Sequence, residues 1–252
     1  MKFLRLLLAA LVLGAPGQAR AVEHRYDVVA KLLTPFISLL AKTTQSPNRA
    51  LLLTARLERL TDLPPELAGA KAELALQYPD KLRLHAPLLG EVFTVCRNGQ
   101  QIWAAPGSKL QTLLDAAVAE KRLPKPDPKY RLEPFRLPLP DKQLVLLPAL
   151  LQVQDGGMEN VAGKPCRVLT LSLMPELERS LELEGWRARV WVDAAYKPAR
   201  LIVAKPGWEL AVRFETVEFS PRLPATTWRP GGDDVIEIDA PRFQQLMQAI
   251  VR

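Results

Sequence analysis

The chain has 252 residues and a formal charge of +7, with 48% hydrophobic and 24% charged residues, 23 Pro, 13 Gly, two Cys and two His. These proportions exclude a disordered chain, a collagen-like fibre and a disulfide-dense miniprotein, and they leave little material for a His/Cys metal centre. The basic balance points first to a nucleic acid or an anionic membrane, a reading that the first twenty residues change.

Lys2 and Arg5 accompany an apolar run over residues 6–13, broken by Gly14 and Pro16. Ala19-Arg20-Ala21 then has the small-x-small form that signal peptidase cleaves. The run is too short to span a bilayer core of about 30 Å. Residues 1–21 are expected to be a signal peptide, and residues 22–252 a single domain exported to the periplasm. Cleavage after Ala21 removes Lys2, Arg5 and Arg20 and lowers the surplus of +7 by three, which is too mild to argue for a nucleic-acid partner. No later segment is apolar and long enough for a transmembrane helix, so the mature chain is expected to be soluble.

Residues 23–42 read as helix, with Val29, Leu32, Leu33, Phe36 and Leu40 on one side and Pro35 expected to divide it. Ala50–Glu58 reads as a strand. Leu74 and Leu76 in one segment, and Leu82 and Leu84 in the next, alternate with polar residues around a turn at Pro79-Asp80. Val92–Arg97 and Gln101–Ala105 flank Asn98-Gly99, a two-residue hairpin signal. Ser108 is placed to cap a helix over residues 109–121. From Leu123 to Pro140 six prolines forbid a helix or central strand, and the interspersed Tyr130, Leu132, Phe135, Leu137 and Leu139 predict an ordered excursion over the surface. Asp141 is expected to cap a short helix containing Leu144 to Leu151. Arg167–Leu173, Arg187–Val192, Ala199–Val203 and Glu209–Phe219 alternate as strands, with turns at residues 193–198 and 205–207. Short edge strands are expected at residues 222–228 and 234–238, and a final helix after Asp239-Ala240-Pro241.

Nine or ten strands in sequence with few intervening helices predict an α+β chain built on an antiparallel sheet. A sheet that long curls strongly. The expected architecture is an incomplete β-barrel with helices packed on its concave side. No repeat of fixed period is present.

The chemistry is sparse. A hydrolase needs a nucleophile, a base and an orienter, and the only histidine bases are His24 and His85, read as an exposed terminal residue and a solvated strand residue. No G-x-S-x-G, H-E-x-x-H or phosphate-binding glycine loop occurs. Asp233-Asp234 reads as a turn rather than a cation site, and Glu176, Glu178, Glu182 and Glu184 as a solvated face. No catalytic residue, metal or cofactor is therefore expected. Cys96 and Cys166 admit two readings in an exported protein: a disulfide, worth roughly 4 kcal/mol by loop entropy, or two buried thiols.

Three stretches resemble the periplasmic outer-membrane lipoprotein carriers, the LolA-like and LolB-like proteins. They are Gln77-Tyr78-Pro79-Asp80-Lys81-Leu82-Arg83-Leu84, the hairpin Val95-Cys96-Arg97-Asn98-Gly99-Gln100-Gln101-Ile102-Trp103, and Val190-Trp191-Val192-Asp193 continuing through Lys197-Pro198-Ala199-Arg200-Leu201. Phe214–Phe219 and Trp228-Arg229-Pro230 before Val235-Ile236 extend the likeness over most of the mature chain. The resemblance implies a curved antiparallel sheet with helices as a lid over an apolar cavity that holds lipoprotein acyl chains in transit. Two departures stand out: Tyr78 occupies the position before Pro79 where the carriers have a basic residue, and the proline-rich stretch is longer than their lid region.

The inward apolar sets supply the candidate lining: Leu74, Leu76, Leu84, Val95, Trp103, Leu171, Val190, Val192, Leu201, Val212 and Phe214. The alternative for these residues is a closed core against the helices. The expected function is a non-enzymatic periplasmic carrier or binder of lipid or lipoprotein acyl chains, with inner- or outer-membrane proteins as further partners and no nucleic acid. The rival readings are a protein-interaction or envelope-sensing module on the same fold, and an exported hydrolase.

Overall fold

The computed structural model describes residues 23–40, 49–61, 67–88, 90–119, 127–135 and 146–244. The signal peptide expected at residues 1–21 lies outside them, as do Asp141 and the residues that follow Gln244. Eleven strands join in one open antiparallel sheet. In chain order they are β1 (Ala50–Leu60), β2 (Lys71–Gln77), β3 (Lys81–Leu88), β4 (Glu91–Asn98), β5 (Gln101–Ala105), β6 (Leu151–Val161), β7 (Lys164–Leu173), β8 (Arg187–Val192), β9 (Pro198–Lys205), β10 (Trp208–Ser220) and β11 (Ile236–Ile238). Their order across the sheet is β11-β5-β4-β3-β2-β1-β10-β9-β8-β7-β6. The long strands β1 and β10 thus pair at the centre and join an N-terminal meander to a C-terminal one. The helices among the described residues include α1 (Arg25–Leu40), α2 (Gly107–Ala119) and the short α3 (Pro175–Ser180). Among the described residues no helix is long and apolar enough to cross a membrane.

Period-2 alternation sets the two faces. Gly99, at φ +67°, opens the two-residue turn after Asn98, which itself pairs with Gln101. The hairpin loop is therefore Gly99-Gln100, one residue later than the sequence places it. Helix α1 runs unbroken through Pro35, against the expected division. Its apolar stripe of Val28, Val29, Leu32, Phe36 and Leu39 holds it on the sheet. Residues 222–228 form a 3-10 turn, Ala225–Trp228, not a strand. Pro221 and Pro224 lack the N–H that a ladder needs, and Trp228 instead buries itself against Ala50, Ala75 and Leu223.

Ser108 lies inside α2, which begins at Gly107, and is not the cap that the sequence predicts, because its hydroxyl donates to Asp234. Asp234, more than 120 residues away in sequence, accepts from the Ser108 backbone N–H at 2.7 Å and from its hydroxyl at 2.6 Å. Those bonds hold the Asp234 carboxyl below the usual carboxylate range. Asp234 is thus a helix cap, and it docks β11 beside α2. The approach is close: a Cβ on Gly107 would meet Ile236 Cγ2 at 2.6 Å and the Ile236 backbone nitrogen at 2.8 Å. Gly107→Ala is expected to destabilise the fold by about 1–3 kcal/mol, although Ala is the better helix former. A thermal melt reads this, and a raised Tm would refute the close contact.

Cys96 and Cys166 are free, buried thiols. The disulfide reading fails because β4 and β7 have six strands between them, seven steps of about 4.8 Å each, whereas a bridge needs Cα atoms within about 7 Å. Burial pushes the Cys96 thiol up to about 11 and raises that of Cys166, which leaves both inert at neutral pH. Denaturation in alkylating reagent without reductant should label both cysteines, and reductant should leave the Tm unchanged.

Candidate functional site

The registers place one set of side chains on the helix-bearing, inner face. Ala104, Val95, Leu84, Leu74, Leu53 and Val217 lie in a cross-strand row over β5, β4, β3, β2, β1 and β10. A second row, Val212, Leu201, Val190 and Leu169, continues over β10, β9, β8 and β7. Such rows need only alternating apolar residues in matched register, because successive side chains point to opposite faces.

The rows are not equally covered. At one end, the first half of α1 seals Val190 and Val192 at 3% and 2% exposure, with Leu171 and Leu201 packed beside them. Farther along α1, Phe36 meets Phe219 edge-on at 4.9 Å, and Leu76 and Phe214 pack against the same cluster. At the other end of the sheet, Ile102 and Ala104 are closed over by Leu132, Ile238 and Ala240, with Val95 against them. Between these seals Leu74 and Val212 are half-buried, and Leu84 remains 41% exposed. Ten of the eleven candidate lining residues therefore share the inner face.

Trp103 is the exception. It pairs with Cys96 on the opposite face, at 8% exposure, with the Arg229 guanidinium 5.7 Å from its ring centroid. Both faces of β5 are buried, so apolar character there does not reveal which face bears the helices. Sequence reasoning also passed over Leu53, Leu57, Val203, Leu210 and Val217 on the inner face, although the same alternation marks them.

Two polar anchors hold α1 across this face. Glu23 accepts hydrogen bonds from Lys31 and from the Tyr196 hydroxyl, while Arg167 donates to the Glu23 carbonyl at 2.7 Å and to Asp155 at 2.5 Å. The Arg167 bonds, followed by the Gly157 N–H, hold the Asp155 carboxyl below its ordinary value. The stabilisation is therefore present above the unfolded carboxyl pKa near 3.9 and is lost as pH falls through the lower folded value. Asp155→Asn should lower the Tm at pH 7, and the gap from the parent protein should close by about pH 2–3; a gap independent of pH would refute the pairing.

Among the described residues the two histidines lie apart. His24 is exposed beside Tyr26 ahead of α1, while His85 shares a 2.7 Å hydrogen bond with Thr94 on the outer face. Among the described residues no three His, Cys, Asp or Glu side chains gather in a metal-sized group.

No protein-family model and no curated protein matches the chain. Solved structures similar to it include the Mycobacterium tuberculosis lipoprotein LppX, 10% identical, over 79% of this chain and 96% of LppX at a TM-score of 0.41. LprF from Mycobacterium bovis is 6% identical over 79% of this chain and 94% of its own, at 0.42. A LolA superfamily protein from Nitrosomonas europaea is 10% identical over 78% and 95%, at 0.28. The last belongs to the superfamily that the sequence motifs resemble.

Over β1, β9 and β10 the outer face is cross-linked by ion pairs. Arg200 donates to Glu58 at 2.6 Å and Arg59 to Glu209 at 3.1 Å. Arg56 pairs with Glu215. In this part of the sheet the two faces thus differ: salt-bridged side chains outside and contiguous hydrocarbon inside.

Proposed function

We propose that the protein is a non-enzymatic periplasmic carrier or binder of lipid or lipoprotein acyl chains, exported by removal of residues 1–21 and acting as one domain over residues 22–252. The observation that carries this reading is the inner apolar row, sealed at one end by α1 and at the other by Leu132, Ile238 and Ala240, and less covered between them at Leu74, Leu84 and Val212. Each methylene transferred from water to such a surface gains about 0.8 kcal/mol, so several suffice for useful affinity. No proton transfer or metal chemistry is needed.

The test is direct. Mature protein purified from the periplasm would be extracted with organic solvent and the extract weighed by mass spectrometry, and a fluorescent fatty acid would be titrated into delipidated protein. Co-purified acyl lipid or saturable, competable fluorescence supports the reading. Absence of both overturns it.

A further inference from the structure

The sheet has a gap in its wall. β10 pairs with β1 along its length as far as Ser220, yet its pairing with β9 stops at Arg213 opposite Arg200. Two features cause the stop. The register between β1 and β10 shifts between Thr54 and Ala55, which leaves Glu215 as an extra residue that bends β10. On the other side β9 begins at Pro198, which has no N–H to donate and follows the Asp193–Lys197 turn. Beyond Arg213, one edge of β10 therefore has no strand partner among the described residues.

A cleft of about 610 Å³ occupies the space. One wall is β10 from Arg213 to Glu218, and the other comprises Val161–Lys164 and Asp193–Ala199. Its lining combines Phe214 and Val217, which belong to the inner face, with Thr216 and Glu218, which belong to the outer one. Helix α1 backs it from inside, reaching from Tyr196 and Leu201 to Phe214 and Phe219.

We propose that this cleft binds an extended polypeptide segment, which adds as a strand to the β10 edge over Glu215–Ser220. An antiparallel strand directs alternate N–H and C=O groups to each side, and a peptide backbone is the ligand that matches such an edge. About five residues at roughly 3.4 Å each fit the unpaired stretch. Their side chains alternate as those of β10 do, so one set meets Phe214 and Val217 and the other faces the turns. Arg213 and Glu215 already have partners in Glu58 and Arg56, and Asp193 accepts the backbone N–H groups of Ala195 and Lys197, which leaves Lys164 and Lys197, with no carboxylate partner among the described residues, against Glu218 in the lining. The segment that fits is one in which apolar residues alternate with acidic ones. The inference does not depend on acyl binding.

The probe is the acetylated, amidated peptide Thr-Val-Glu-Val-Glu-Val, beside the same sequence with alternate backbone nitrogens methylated. The full mature protein is followed by hydrogen–deuterium exchange and by polarisation of a labelled peptide. The unmodified peptide should slow exchange over residues 215–220 about tenfold or more at saturation, while the methylated one should not. The exposed pair Lys164→Glu and Lys197→Glu should weaken binding about tenfold. Equal protection by both peptides, no protection, or affinity unchanged in the lysine variant overturns the proposal. Protection that appears without peptide as protein concentration rises assigns the edge to a second copy of the chain and also overturns it. Fatty-acid titration of the same samples reads the acyl-binding function separately, so either can fail alone.

Discussion

Trp191→Ala is expected to destabilise the protein by about 3–5 kcal/mol, a large part of the 5–15 kcal/mol that holds a typical domain. Trp191 is 1% exposed at the centre of the outer-face cluster with Val161, Cys166 and Val168. Arg189 and Arg200 place their guanidinium carbons 4.7 and 4.8 Å from its ring centroid, and its indole N–H donates to Glu159 at 2.8 Å. Truncation removes a large ring that little can collapse to replace, and it leaves two arginines without the surface on which they stack. At 2–4 °C per kcal/mol for a chain of this size, the Tm should fall by roughly 10 °C or more. Trp191→Phe separates the contributions. It keeps a ring beneath both arginines and loses only the N–H bond to a half-exposed carboxylate, worth about 1 kcal/mol. If alanine and phenylalanine cost the same, packing is not what this residue supplies.

That outer cluster shows where the sequence could be read and where it could not. Strand β8 is bounded in the structure at the residues the sequence indicates, Arg187–Val192, because a turn follows it and Arg187 and Arg189 alternate with Ala188 and Val190, although Val190, Trp191 and Val192 are all buried. Strand β6 carries such a signal only at its start, in Leu151-Gln152-Val153-Gln154. Gln152, Gln154, Asp155, Glu159 and Asn160 are exposed at the sheet edge, and Gly156-Gly157 sit where its register with β7 shifts. From Gln154 to Asn160 its membership is decided by pairing with β7 rather than by burial of its own. Strand order is likewise invisible locally, which is why two cysteines with suggestive isolation turn out to have six strands between them. The candidate lining was legible for the same reason that β8 was: ten of its eleven residues alternate with polar or outer-facing neighbours. Trp103 was not, since Ile102, Trp103 and Ala104 are all buried, and alternation carries no contrast where both faces are covered. The Asp234 cap on α2 is a long-range contact that no local spacing encodes.

A matched pair of leucines offers the sharpest test of the inner face. Leu84 on β3 and Leu52 on β1 are 41% and 37% exposed, but the first pairs with Val95 and Leu74 on the inner face, and the second with Ala75 and Glu218 on the outer one. Both side chains are open enough that replacement by aspartate should shift stability by only about 0.5 kcal/mol. Their effects on acyl binding should differ sharply. Leu84→Asp removes contact with two or three methylenes, about 2 kcal/mol, and sets a carboxylate where the chain would have to displace its water. Affinity for a fluorescent fatty acid is expected to fall about 30-fold or more, since each 1.4 kcal/mol is a factor of ten. Leu52→Asp introduces the same charge two strands away in the wall and should leave affinity within about twofold, well under the 1.4 kcal/mol of a tenfold change. The comparison removes net charge, strand propensity and general destabilisation as explanations, because both variants share them. Equal loss in the two would place acyl binding somewhere other than the inner face, and no loss in either would separate Leu84 from the bound chain altogether.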